Sequence, residues 1–109
     1  MLATIAGAAP PNLVIAVWDN EQWAETGGQP SHTARGADLA GIARASGIPR
    51  VETPRSEEEF TGVIRRAMRE TGPWVIVVKV CEEKPEVRPP VEPVLNKSAF
   101  MAHVRSLIR

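Results

Sequence analysis

The sequence contains one cysteine, Cys81, so no disulfide can form within the chain. A lone cysteine fits a reducing compartment, and the cytoplasm is the expected location. Histidine is equally scarce. His32 and His103 stand far apart, which excludes a zinc-type cluster of histidines and cysteines. Neither sign of charge is in excess: thirteen basic residues balance thirteen acidic ones. Proteins that bind nucleic acid or membrane surfaces usually carry a basic surplus, so neither is an expected partner. Residues 1–18 lack charged side chains altogether. No basic segment precedes that run and Pro10-Pro11-Asn12 breaks it, which excludes a signal peptide and a spanning helix. No Gly-x-Gly-x-x-Gly follows an apolar run, which excludes a dinucleotide-binding Rossmann motif. No internal repeat is visible.

What remains is ordinary globular material. Hydrophobic residues make up 43% and charged residues 24% of 109 positions, which suits one small layered domain. A net charge of zero does little to oppose self-association, and an oligomer is expected.

Residues 1–9 read as the end of an apolar helix stopped by Pro10 and Pro11. No N-cap precedes them, so the chain reads as beginning inside an element, with a first strand missing and apolar surface exposed beside the gap. Leu13 to Trp18 reads as a buried strand. A long loop from Asn20 to about Pro30 follows, then a helix from Thr33 to Ser46 with Leu39, Ile42 and Ala43 on one stripe and Gly47 as its C-cap. Ile48 to Thr53 forms a short strand. Ser56-Glu57-Glu58-Glu59 has capping-box spacing and opens a helix carrying Phe60, Val63, Ile64, Ala67 and Met68. Trp74 to Val80 is the third strand, apolar enough to be buried on both faces. Residues 82–93 form a proline-rich connector, and 97–109 a last helix with Phe100, Met101, Val104, Leu107 and Ile108 on one side. The alternation predicts a three-layer α/β fold with an open parallel sheet.

The stretch from Trp18 to Pro30 carries the chemistry. In such a sheet, ligands sit outside the carboxyl ends of the strands, where Asp19 and Asn20 fall. Two oxygen-bearing side chains followed by Gly27-Gly28 suit a hard cation and an anion approached by backbone. The residues alone leave two readings open: a ligand loop, or a turn with Asx hydrogen bonds. Gly27-Gly28 either permits positive φ or lets backbone approach a ligand. His32 either contacts substrate or sits in a surface loop; His103 reads as structural. Trp18 and Trp23 line a pocket or a subunit interface. The mixed charges of Glu57–Glu59, Arg65, Arg66, Arg69 and Glu70 form a solvated helix face, and Cys81 an inert thiol.

Leu2-Ala-Thr-Ile-Ala6, Asn12-Leu-Val, Asp19-Asn20-Glu21, Thr26-Gly-Gly-Gln-Pro30, Thr33 and Asp38-Leu39 resemble the diphosphate-binding domain of thiamine-diphosphate enzymes, nearest to 2-oxo acid decarboxylases of the phosphonopyruvate and sulfopyruvate type. The resemblance runs from residue 1 to about residue 80. It implies thiamine diphosphate and Mg²⁺ as cofactors, with Asp19, Asn20, Gln22, Gly27 and Gly28 binding them. The metal ligands would be the Asn20 side-chain oxygen and the Gln22 backbone carbonyl. The family's opening Gly-Asp-Gly motif does not occur in the chain; the family pattern puts it about ten residues before Met1. The glutamate that activates the cofactor comes, in the family, from a separate pyrimidine-binding domain, so Glu21 and Glu25 are not assigned that role. A partial cofactor-binding domain over residues 1–109 is thus expected, as part of a carboxy-lyase that acts on a small 2-oxo acid together with a pyrimidine-binding domain or subunit. The alternative is a noncatalytic α/β module that only pairs with other subunits.

Overall fold

The computed structural model describes residues 1–81 and 91–108. A short helix, α1 (Leu2–Ala8), leads into strand β1 (Val14–Asp19). A small hairpin follows, β2 (Gln22–Trp23) and β3 (Gln29–Pro30), and then helix α2 (Leu39–Ala45). Strand β4 (Arg50–Glu52), helix α3 (Glu57–Ala67), strand β5 (Trp74–Lys79) and helix α4 (Pro93–Leu107) complete the order.

The main sheet is parallel with order β1-β5-β4. The last strand of the sequence is therefore the central one, which explains its unbroken apolar run: β5 has no solvent face to alternate toward. Its side chains alternate between two cores. Val75 and Val77 pack with Ala40, Ala43 and Ile48 and are flanked by Leu2, Ile5, Ile15 and Val17. Trp74 and Ile76 pack with Val63 and Ala67, beside Val14, Phe60 and Val78. Helices α1 and α2 thus cover one face and α3 the other, giving the expected three layers.

Helix α3 begins where its capping signal stands. The Ser56 side chain accepts from Glu59 N at 3.1 Å. The reciprocal bond is displaced by one residue, from Arg55 N to Glu59 Oε2 at 2.8 Å. Gly47 closes α2 with φ 90, its N–H donating to Arg44 O.

Three boundaries differ from expectation. The helix expected over Thr33 to Ser46 is two pieces, a 3₁₀ turn at Thr33–Arg35 and then α2. Gly36, with φ 99, turns the chain out of the first piece. Asp38 then caps the second, accepting from Gly41 N at 2.9 Å. A side chain that caps a new helix cannot sit inside an old one. The long loop after β1 contains the β2–β3 hairpin. The last helix starts at Pro93, before Lys97, because proline is suited to a first helical turn whose N–H has no partner. Most of the expected connector, 82–90, lies outside the described residues; 91–92 are irregular.

Candidate functional site

The outgoing connections of the sheet run to opposite faces: β1 leads to α2, and β4 leads to α3. A crevice must open between them at the carboxyl end of β5, where ligands of such sheets bind. A cavity of about 430 Å³ lies there. Asp19, Lys79 and Thr53, from the ends of β1, β5 and β4, line it, with Thr33 and Asp38 from the α2 side.

Asp19 anchors this edge. It is 8% exposed, and its carboxylate is saturated with donors. Oδ1 accepts from Thr33 Oγ1 at 2.6 Å and from Glu21 N at 3.0 Å. Oδ2 accepts from Lys79 Nζ at 2.8 Å. Burial opposes ionisation of Asp19, but the bonds from Lys79, Thr33 and Glu21 N outweigh it and hold the carboxyl below its ordinary 3.8. The same contacts, with Asp19 first and Glu21 second, hold the Lys79 ammonium above its ordinary 10.5. Lys79 also bonds the Glu21 carboxylate.

Beyond Asp19 the chain turns sharply. Glu21 has φ 61, a left-handed backbone that costs energy in any residue but glycine. Asn20, half-buried, accepts from Gln22 N at 3.2 Å through Oδ1. Ser31 N donates to Glu21 O at 2.9 Å, and the Ser31 and Thr33 hydroxyls bond each other at 2.7 Å. The hairpin base is thereby tied to Asp19 by its own side chains. At the hairpin tip, Gly27 and Gly28 have φ 119 and 73, and Gly28 N donates to Trp23 O. A Cβ on Gly28 would stand 3.5 Å from Gln22 Oε1, so the glycine pair lies against the side chain that follows Asn20 and Glu21.

The structure thus brings together Asp19, Asn20, Gln22 and Gly28 in one pinned hairpin, with Gly27 beside them. Of these only Asp19 lines the cavity. His32 is exposed and does not line it; its backbone carbonyl accepts from Arg35 N and Ala37 N. Trp18 and Trp23 are each 57% exposed, and the Trp18 ring packs on Phe60 at 4.9 Å. Among the described residues, no group of three or more His, Cys, Asp or Glu is placed to hold a metal. The oxygens on offer are a carboxamide and backbone carbonyls. These are hard donors suited to Mg²⁺, an ion that keeps water and phosphate oxygens among its ligands rather than a full protein cage. The residues present fit Mg²⁺ together with a diphosphate.

The model of the thiamine pyrophosphate enzyme C-terminal TPP-binding domain matches residues 1–78.

The chain belongs to the thiamine pyrophosphate enzyme family.

Within that family it is similar to the β subunit of sulfopyruvate decarboxylase from Methanocaldococcus jannaschii, 31% identical over 95% of this chain and 55% of that protein. The β subunit from Methanococcus maripaludis is 32% identical over 72% of this chain and 41% of its own length. Phosphonopyruvate decarboxylase from Streptomyces hygroscopicus is 36% identical over 69% of this chain and 18% of that protein. The chain therefore spans about half the length, or less, of the curated relatives it matches. No solved structure gives a significant match. Among the described residues, no helix is long and apolar enough to cross a membrane.

Thr33 and Lys79 were not singled out as site residues by the sequence. Thr33 sits inside what reads as helix. Lys79 reads as the one charged residue inside an apolar strand, and only the β1–β5 register, Asp19 opposite Lys79, reveals its role.

Proposed function

We propose that this chain supplies the metal- and diphosphate-binding loop of a thiamine-diphosphate-dependent 2-oxo acid decarboxylase of the sulfopyruvate or phosphonopyruvate type. Its family membership and the names of its relatives support this reading. The observation that carries it is the pinned turn Asp19-Asn20-Glu21-Gln22 at the carboxyl end of β1. The Asn20 side-chain oxygen and the Gln22 backbone carbonyl hold Mg²⁺, and Gly27 and Gly28 let backbone approach the diphosphate. When bound, the cofactor supplies the electron sink for loss of the carboxylate. This chain's residues supply position: Asp19, satisfied by three donors, fixes the turn, and its charge is matched by Lys79. His32, exposed in the segment after the hairpin, is the residue that would meet substrate or exchange a proton. The pyrimidine-binding domain or subunit of the same enzyme completes the site, in an oligomer. The whole chain, 1–109, serves as one partial cofactor-binding domain, the connector 82–93 and the last helix included.

Coexpression with a pyrimidine-binding partner tests this. The purified assembly, given thiamine diphosphate and Mg²⁺, should release CO₂ from sulfopyruvate or phosphonopyruvate. An assembly that forms but neither binds the cofactor nor releases CO₂ makes the chain a noncatalytic pairing module instead.

A further inference from the structure

We propose that Lys79 is a positioning residue that sets the ligand loop from the end of the neighbouring strand, 60 residues away along the chain. It rests on the reading of Asn20 and Gln22 as the metal and diphosphate loop. The single ammonium of Lys79 bonds two carboxylates, Asp19 and Glu21, that stand on either side of Asn20. Lys79 comes from the end of β5, the central strand, and lies in register with Asp19 across the parallel pair. Its backbone thus belongs to the most deeply buried strand among the described residues, while its side chain is exposed.

The loop needs such an anchor. Glu21 adopts a left-handed backbone, φ 61, and conformations of that kind persist only where their surroundings over-determine them. Three contacts do so here. Glu21 N donates to Asp19 Oδ1, Glu21 O accepts from Ser31 N, and the Glu21 carboxylate is bonded by Lys79. Among the described residues, Lys79 is the one group that touches both the strained residue and the buried carboxylate holding its N–H. Charge leads to the same residue. Asp19 and Glu21 alone place two negative charges beside Asn20, which repel an incoming diphosphate; Lys79 removes one of them from the balance. Its removal therefore loosens the turn and makes the loop more hostile to the anion.

Amide hydrogen exchange by NMR on the full chain reads the clamp without any cofactor. In Lys79→Met, exchange at the Glu21 and Gln22 amides should quicken about tenfold or more while Val75 and Val77 in β5 keep their protection. Lys79→Arg, which preserves a cation able to bridge two carboxylates, should restore slow exchange. Should Lys79→Met fail to fold, Glu21→Gln takes its place, with a smaller acceleration at the same two amides. Unchanged exchange at Glu21 and Gln22, or acceleration spread equally through β5, overturns the proposal. Cofactor retention in the assembly is read separately. A clamp confirmed by exchange, in an assembly that never binds thiamine diphosphate, would sink the proposed function and leave the clamp standing.

Discussion

Asp19 concentrates the energetics of the site in one carboxylate. Three donors converge on it in a position 8% exposed. Asp19→Ala strands those donors and should destabilise the fold by about 2 kcal/mol, read as a lower midpoint in urea unfolding. The pH dependence follows from the same contacts. The folded-state pKa of Asp19 lies below 3.8, so between that lowered value and 3.8 the unfolded chain binds more protons than the folded one. The stabilisation is complete above 3.8 and disappears as pH falls through the lowered value. Urea midpoints measured from pH 6 downward should hold and then drop below 3.8, and Asp19→Asn should flatten that drop. Asp19 itself was legible in the sequence, because it ends an apolar run. Its partner Lys79, 60 residues away, was not, since only strand pairing brings the two together.

At the scale of elements, local signals outperformed periodicity. Ser56 announced α3 through a side chain that bonds three residues on. Ser56→Ala should cost about 1 kcal/mol and lower the melting temperature by about 4–8 °C. Leu39 and Ala43 placed α2, although Ile42 of the expected stripe is exposed and Ala40 is buried instead; extending the helix back to Thr33 overlooked Gly36 and the capping power of Asp38. Thr33 instead turns its hydroxyl to Asp19, a tertiary bond that periodicity does not encode. Helix α4 is the opposite case, since the expected stripe of Phe100, Met101, Val104, Leu107 and Ile108 buries no residue. Ending the chain at Cys81 should therefore leave the melting temperature of the α/β unit within about 2 °C of the full chain.

For the whole molecule, the strand order decides most. Central β5 is shielded on both sides, whereas β1 pairs only with β5 and leaves its other edge without a strand among the described residues. Ala16 and Trp18 on β1 are exposed, and no lysine or proline interrupts that edge between Val14 and Asp19. Such an edge invites association, and a net charge of zero does nothing to discourage it. Sedimentation should show concentration-dependent association of the chain, reduced by Ala16→Lys. The parallel three-layer class was legible from alternating elements. The order β1-β5-β4 was not, because pairing partners are chosen by packing rather than by sequence proximity. The most direct measurement is a calorimetric titration of thiamine diphosphate, with Mg²⁺, into the chain assembled with a pyrimidine-binding partner, comparing Asn20 with Asn20→Ala. If position 20 holds the metal, the alanine variant binds about 10–100-fold more weakly while the assembly stays intact. Equal affinity in the two proteins would contradict it.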